Sequence, residues 1–257
     1  MTAVPAFDQL DTVTLADLAG VELLVRVDRK YALTREDAQG VLRDLDPATR
    51  VLRIGAQATF GYRSTYFDTP DLLSYRLAAH TRRRRFKVRT RTYVDSALTF
   101  LEVKTRGLRD VTTKDRMEYT APGRLDDDAR RYATDTLAPL GLDRSVTASL
   151  RPVLRTEYDR VTLAPPGSGV RVTVDSGLAW SDMQGRHRRL PDLVVIETKS
   201  SGRPSDVDRL LWRHGHRPDA ISKYGTGLAA LRGDLPDNKW TRVLRRHFPI
   251  DAPQERP

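Results

Sequence analysis

No cysteine occurs in the 257 residues, which excludes disulfide bridges, thiolate metal sites and a cysteine nucleophile. No apolar run approaches the ~20 residues that a helix needs to cross a bilayer. The histidines form no metal-binding pattern: His80, His187 and His247 stand apart, and His214 and His216 are too close for ligands one helical turn apart. A glycine-rich phosphate loop and a nucleophile elbow are both missing, so any bound phosphate must be held by side chains. The stretch Met1 to Leu10 lacks the basic-then-apolar layout of a secretory signal, and with no cysteine this predicts a cytoplasmic chain. Acidic residues are outnumbered, 34 against 44 lysines and arginines, for a net charge of +10.

What is present is therefore basic and globular, and the length suits one large domain, taken as residues 1–257. The charge asks for an acidic partner: nucleic acid, an anionic membrane or a small polyanion. The placement of the cations narrows the choice.

Much of the chain alternates with the strand period of two. In Phe86–Tyr93, Lys87, Arg89, Arg91 and Tyr93 share one face, with Phe86, Val88, Thr90 and Thr92 on the other. Leu101–Arg106 puts Glu102, Lys104 and Arg106 together, and Arg116–Tyr119 continues the scheme. Val170–Asp175 aligns Arg171, Thr173 and Asp175; Val194–Lys199 aligns Glu197 and Lys199; Val25–Tyr31 aligns Arg26, Asp28 and Lys30. Any one such face suits a solvated sheet. Together they hold far more cations than carboxylates, whereas a solvated surface mixes signs. Lysine is scarce in the chain, yet Lys30, Lys87, Lys104 and Lys199 fall on these faces, where a compact ammonium is useful. Like charges turned inward repel unless an anion fills the space, and phosphate oxygens match the arginine fork. The predicted fold is α+β, with an antiparallel barrel whose polar side is inside.

The remaining elements frame that sheet. Thr34–Leu45 reads as a helix with Ala38, Val41, Leu42 and Leu45 on its apolar stripe, and Asp126–Leu137 as another with an acidic first turn. Tyr66–Asp68 ends a strand before a short helix reaching Ala79, and residues 165–169 form a loop between strands. Beyond Ser205 the chain is predicted helical, with a frayed tail from Pro249. The run Arg82–Arg85 reads as a charged entry to the next strand that steers polyanions. No nucleic-acid recognition module and no aromatic platform are apparent in the sequence.

The motifs Arg26-Val-Asp28-Arg-Lys30-Tyr31, Tyr66-Phe-Asp68-Thr, Lys87-Val-Arg89-Thr-Arg91-Thr-Tyr93, Leu101-Glu102-Val-Lys104-Thr, Tyr158-Asp-Arg160, Arg171-Val-Thr-Val-Asp175, Val195-Ile-Glu197-Thr-Lys199 and Ser222-Lys223-Tyr224 occur in order. Together they resemble the VTC domain, the catalytic domain of polyphosphate polymerases, over about residues 22–232. That family belongs to the CYTH-like triphosphate tunnel metalloenzymes, so the resemblance implies an eight-stranded antiparallel barrel with helices outside. It implies transfer of the terminal phosphoryl group of ATP to polyphosphate with Mn2+ or Mg2+. By the same resemblance, Lys223, Lys199, Arg89 and Arg91 lie at the reacting phosphates. Lys30, Arg26, Lys87, Lys104, Arg160 and Arg171 bind the phosphate chain, and Glu197 holds the metal. Hydrolysis of another triphosphate, or polyphosphate binding without turnover, are the alternatives, and no specific nucleic-acid partner is expected. Eukaryotic relatives couple synthesis to membrane transport, so a membrane partner would be a separate protein. The hydrolytic branch begins Glu-x-Glu-x-Lys, whereas this chain has Arg26-x-Asp28-x-Lys30; the change favours a polymerase with one metal. Glu102 and Asp175 fit either metal ligands or ion-pair partners, and Glu118 an ion-pair partner.

Overall fold

The computed structural model describes residues 7–19, 27–107, 112–167 and 169–248. In chain order the elements are β1 (Thr12–Val13), α1 (Leu15–Ala19), β2 (Val27–Thr34), α2 (Arg35–Arg43), β3 (Arg50–Leu52), β4 (Thr59–Asp68), α3 (Leu73–Ala79), β5 (Arg85–Tyr93), β6 (Leu98–Arg106) and β7 (Thr112–Glu118). They continue with α4 (Asp127–Leu137), α5 (Arg144–Ser149), β8 (Arg151–Ala164), β9 (Arg171–Asp182), β10 (His187–Leu190), β11 (Leu193–Ser200), α6 (Asp206–Arg213), α7 (Lys223–Leu231) and α8 (Thr241–His247). Two compact units emerge. The first takes the chain through Phe60, Tyr158–Leu178 and Leu190–Ile221; the second takes Gly61–Glu157, Ala179–Arg189 and the chain from Ser222 on.

In the first unit, β11 runs antiparallel between β2 and β9. The alternation in all three strands gives one apolar face, where Tyr31, Leu33, Val172, Val174, Val194 and Ile196 are buried. Helices α2 and α6 cover it with Ala38, Val41 and Leu42 and with Val207, Leu210 and Leu211. Each such side chain contributes roughly 1.5–3 kcal/mol by leaving water. Thr34 starts α2 as read from the sequence, its hydroxyl accepting the Asp37 N–H at 3.1 Å. Helix α6 begins with a capping box in which Ser205 and Asp208 bond reciprocally. The fully buried Asp208 also accepts from the Tyr31 hydroxyl at 2.7 Å and the Thr198 hydroxyl at 2.6 Å, which ties the helix start to the sheet.

In the second unit, β4, β5, β6 and β7 follow one another as antiparallel neighbours. Phe67, Phe86, Val88, Leu101 and Val103 are buried with Ala129, Ala133 and Leu137 of α4. Asp126 caps that helix through the Ala129 N–H at 2.9 Å. Asp68, at the end of β4, is fully buried and accepts from the N–H groups of Ser74 and Tyr75 in the first turn of α3, at 2.8 and 2.9 Å. The Asp68 of the sequence motif thus anchors a helix start.

The antiparallel sheet with helices bears out the α+β reading, but the closed eight-stranded barrel is corrected. Among the described residues the hydrogen-bonded order is an open path, β2-β11-β9-β8-β4-β5-β6-β7, and with β1, β3 and β10 the sheet has 11 strands. One end of that path is β7. From Thr112 to Arg116 its residues are exposed, and Lys114, Asp115 and Arg116 give it the charged character by which an edge strand resists pairing. The strand predicted from Arg116 begins earlier, at Thr112, while Val25 and Arg26 and the tail from Pro249 lie outside the described residues. No described helix is long and apolar enough to cross a membrane.

Candidate functional site

Residues directly opposite each other in an antiparallel ladder share a face, so the registers define the polar side of each unit. In the first unit Glu197 lies opposite Lys30 and Thr173, Lys199 opposite Asp28 and Arg171, and Val195 opposite Asp175. Lys30 Nζ is 3.4 Å from Glu197 Oε2, and Lys199 forms a tight ion pair with the same carboxylate. Arg160, from β8, grips the fully buried Asp175 with two bonds, Nε to Oδ1 at 2.6 Å and Nη2 to Oδ2 at 2.8 Å, the strong fork geometry for arginine and carboxylate. Burial alone would raise the pKa of Glu197. The Lys30, Lys199 and Arg160 charges outweigh it and hold the carboxyl well below its ordinary range. Burial would likewise lower the Arg160 pKa, but Asp175 reverses it and fixes the guanidinium as charged. Arg171 donates to the Leu18 carbonyl from this same face.

The second unit is organised around Glu102. Its registers put Arg85, Lys87, Arg89, Arg91, Lys104, Arg106, Lys114 and Arg116 on one face of β5, β6 and β7, with Glu102 and Glu118. Arg89 Nε donates to Glu102 Oε2 at 2.7 Å and its Nη1 to the Tyr66 hydroxyl at 2.9 Å. Lys114 Nζ lies 2.6 Å from Glu102 Oε1, and Arg91 reaches the same oxygen only at 3.9 Å. Burial would raise the Glu102 pKa, but Arg89, Arg91 and Lys114 bring it far below the carboxylate range. Although Lys114 lies on the exposed edge strand, its ammonium is tucked against Glu102, and desolvation there, with the nearby Arg89 and Arg91 charges, pushes it down to about 8 against the pull of Glu102.

Helix α7 adds the last predicted cation. Ser222 caps it and also accepts from Lys87 Nζ at 2.9 Å. The helix start is seated firmly. Trp180 Nε1 donates to the Lys223 carbonyl at 2.8 Å, Tyr224 bonds Asp68 through its hydroxyl, and Gly225 and Gly227 lie flush against Trp240 and Trp180. A Cβ on either glycine would sit 2.1 Å from an indole carbon. Lys223 is therefore carried by a rigid turn next to the residue that Lys87 touches.

Among the predicted site residues, Lys30, Arg160, Arg171, Glu197 and Lys199 come together in the first unit. Lys87, Arg89, Arg91, Lys104 and Lys223 belong to the second, and Arg26 lies outside the described residues. Of the carboxylates left open, Asp175 and Glu102 are ion-pair partners of Arg160 and Arg89. Glu118 is exposed opposite Phe100 at the end of β7. Lys114 was missed as a member of the cluster because its strand was placed too late. An aromatic group was missed too. Tyr62, Tyr93 and Phe100 close one end of the cationic face, with ring centroids 5.0 Å apart for Tyr62–Tyr93 and 5.9 Å for Tyr93–Phe100. The signal was the period-two step from Arg91 to Tyr93.

With this geometry in place, comparison with known proteins is direct. A family model described as the VTC domain matches residues 25–232. No curated protein matches the chain. Among solved structures, an adenylyl cyclase candidate from Hippeastrum, said to have a dominant triphosphatase activity, is similar at 16% identity and a TM-score of 0.50, covering 84% of this chain and 100% of its own. An adenylate cyclase candidate from Bacillus halodurans matches at 15% identity and a TM-score of 0.47, covering 74% and 90%. At such identities the likeness concerns the fold alone.

Proposed function

The chain belongs to the VTC domain family of triphosphate tunnel proteins, and from that premise we propose that it is a metal-dependent polyphosphate polymerase. An oxygen of the terminal phosphate of the polymer attacks the γ-phosphorus of ATP, the bond to the β-bridging oxygen breaks, and ADP leaves. The polymer is one phosphate longer. Little covalent chemistry is asked of the protein in such a transfer; positioning and charge neutralisation dominate.

The observation that carries this reading is the cationic face of β5, β6 and β7, on the side of the sheet away from α4. Arginine and lysine alternate along the strands and across them, as suits a line of phosphates rather than one isolated anion. Within the second unit Arg89, Arg91 and Lys223 are assigned to the reacting phosphates and Lys87 and Lys104 to the phosphate chain; for Lys199, Lys30, Arg160 and Arg171 of the first unit, and for Arg26, the corresponding roles rest on family likeness alone. Arg89 and Lys114 are held in place by Glu102 before any substrate arrives, so part of the ordering cost is met in folding.

Glu197 is the carboxylate assigned to a divalent cation. Among the described residues no group of three or more acidic, histidine or cysteine side chains forms a metal cage. The donor set fits instead an ion of the Mg2+ or Mn2+ kind, which takes one or two carboxylates and completes its shell with water and substrate phosphates. Thr173, opposite Glu197 in the ladder, offers a second oxygen: its hydroxyl is buried with no hydrogen-bond partner. When bound, such an ion neutralises charge on the transferring phosphoryl oxygens. The test is incubation of pure protein with ATP and Mn2+. ADP together with a polymer resolved on a gel supports the proposal; orthophosphate without polymer indicates a triphosphate hydrolase, and binding without turnover a polyphosphate-binding module.

A further inference from the structure

Polyphosphate has no apolar surface, yet the cationic face of the second unit ends in one. Beyond Arg91 on β5 comes Tyr93, two residues or about 7 Å further along the strand. The ladder sets Tyr62 and Leu98 on either side of it, and Phe100 beside Arg91. The three rings are half-buried and in mutual contact, and Leu98 is 46% exposed. Arg91 and Arg116 lie over the rings of Tyr62 and Phe100, at 5.5 and 5.0 Å from the centroids, so aromatic and cationic groups interleave where the two regions meet.

We infer that the ring of Tyr93, buttressed by Tyr62 tilted at 57° and Phe100 set edge-on at 86°, is the stacking platform for the base of a nucleoside triphosphate whose phosphates run from Arg91 toward Arg89 and Lys87. The inference rests on the reading of that face as a triphosphate site. Two buried polar atoms at the junction support it. Arg91 Nε and the Ser64 hydroxyl, which face each other across β4 and β5, have no hydrogen-bond partner, a costly condition for buried donors. Phosphate oxygens of the nucleotide supply the missing acceptors when the guanidinium, held only at 3.9 Å by Glu102, turns toward them. Base stacking on an aromatic ring tolerates any base, because each has a flat π-face. The platform therefore selects nucleotides over bare triphosphate without reading which base is present.

Calorimetric titration of the whole chain with ATP and, in parallel, with inorganic tripolyphosphate tests this. Tyr93→Ala is expected to weaken ATP binding about tenfold and to leave tripolyphosphate within about twofold, while Tyr93→Phe restores ATP binding because the ring is kept. Phe100→Leu carries the same test, with the same selective loss, if Tyr93→Ala does not fold. Equal weakening of both ligands, or unchanged ATP binding, overturns the platform and leaves the phosphate site standing. Wild-type protein that binds neither ligand overturns both.

Discussion

The two ionic centres solve different electrostatic problems. In the first unit carboxylates and cations are nearly matched: Glu197 sits with Lys30 and Lys199, and Asp175 is gripped by Arg160, all at low exposure. Such a cluster can exist without a ligand, because each buried charge has a compensating neighbour. In the second unit Glu102 anchors Arg89 and Lys114, while Lys87, Lys104, Arg106 and Arg116 extend the face well beyond the reach of one carboxylate. Such an excess of cations over carboxylates on one face suits an anionic ligand. The first centre is matched in charge, and the second carries an excess of cations.

The sharpest way to break this comparison is at Glu197. Glu197→Gln keeps the shape and removes the charge; metal-dependent ADP release is expected to disappear. Tripolyphosphate binding should survive, since Lys30 and Lys199 lose a competitor for their charge. Undiminished turnover with Mn2+ would remove Glu197 from the metal assignment. Asp175→Ala should separate the centres by stability instead. It takes the two-bonded carboxylate partner from the buried Arg160 guanidinium, and about 3–5 kcal/mol should be lost in urea unfolding. The exposed Asp128–Arg131 pair on α4 is the control, where Asp128→Ala should cost no more than about 1 kcal/mol. Comparable losses at the two sites would contradict the idea of a preformed cluster.

A smaller effect probes the second centre. Arg89→Ala removes a guanidinium from the middle of the cationic face, and tripolyphosphate affinity should fall about tenfold or more, the scale of a hydrogen bond to a charged group. Arg83 is exposed in the turn entering β5, off the cationic face, and Arg83→Ala should change affinity by less than about twofold. Equal losses in titration would mean that net charge, not the face, binds the anion.

The contrast also shows what the sequence could and could not carry. Alternation of side chains fixes which residues share a face of one strand, and Lys87, Arg89 and Arg91, or Glu197 and Lys199, were legible for that reason. Thr34 and Asp126 marked their helix starts because capping is local. What depends on register between strands was not legible. Nothing in the segment around Leu98 says that Phe100 will lie beside Arg91, or that Lys114 will reach Glu102 from the neighbouring strand. The open path of the sheet is of the same kind: closure is decided by whether two distant edges pair, and the charged exposed β7 could be read as an edge only once β6 was known to be its partner. The short parallel pair β1 and β3 is too brief to leave a period.

The mildest prediction concerns pH, and it follows from Lys114. Burial depresses its pKa to about 8 from the ordinary 10.5, so the ammonium is largely protonated below pH 8 and loses its proton above. A bound anion favours the protonated form, so binding takes up a proton in that range and affinity for tripolyphosphate should fall as pH rises from about 8. The stability effect has the opposite sign. Between about 8 and 10.5 the unfolded chain holds more protons at this lysine than the folded one, so its contribution to folding improves with rising pH. Glu102, with its pKa lowered from 4.5, contributes stability that is full above that value and lost in acid. Lys114→Arg keeps its charge throughout and should flatten the alkaline fall in affinity while leaving the acid limb of stability in place. A fall of unchanged size in the variant would assign it to the ligand's own ionisation and free Lys114 from the face. In the first unit Arg160 stays charged and Glu197 is already ionised, but burial lowers the pKa of Lys199 as well, so only the part of the alkaline fall that Lys114→Arg removes belongs to the second unit.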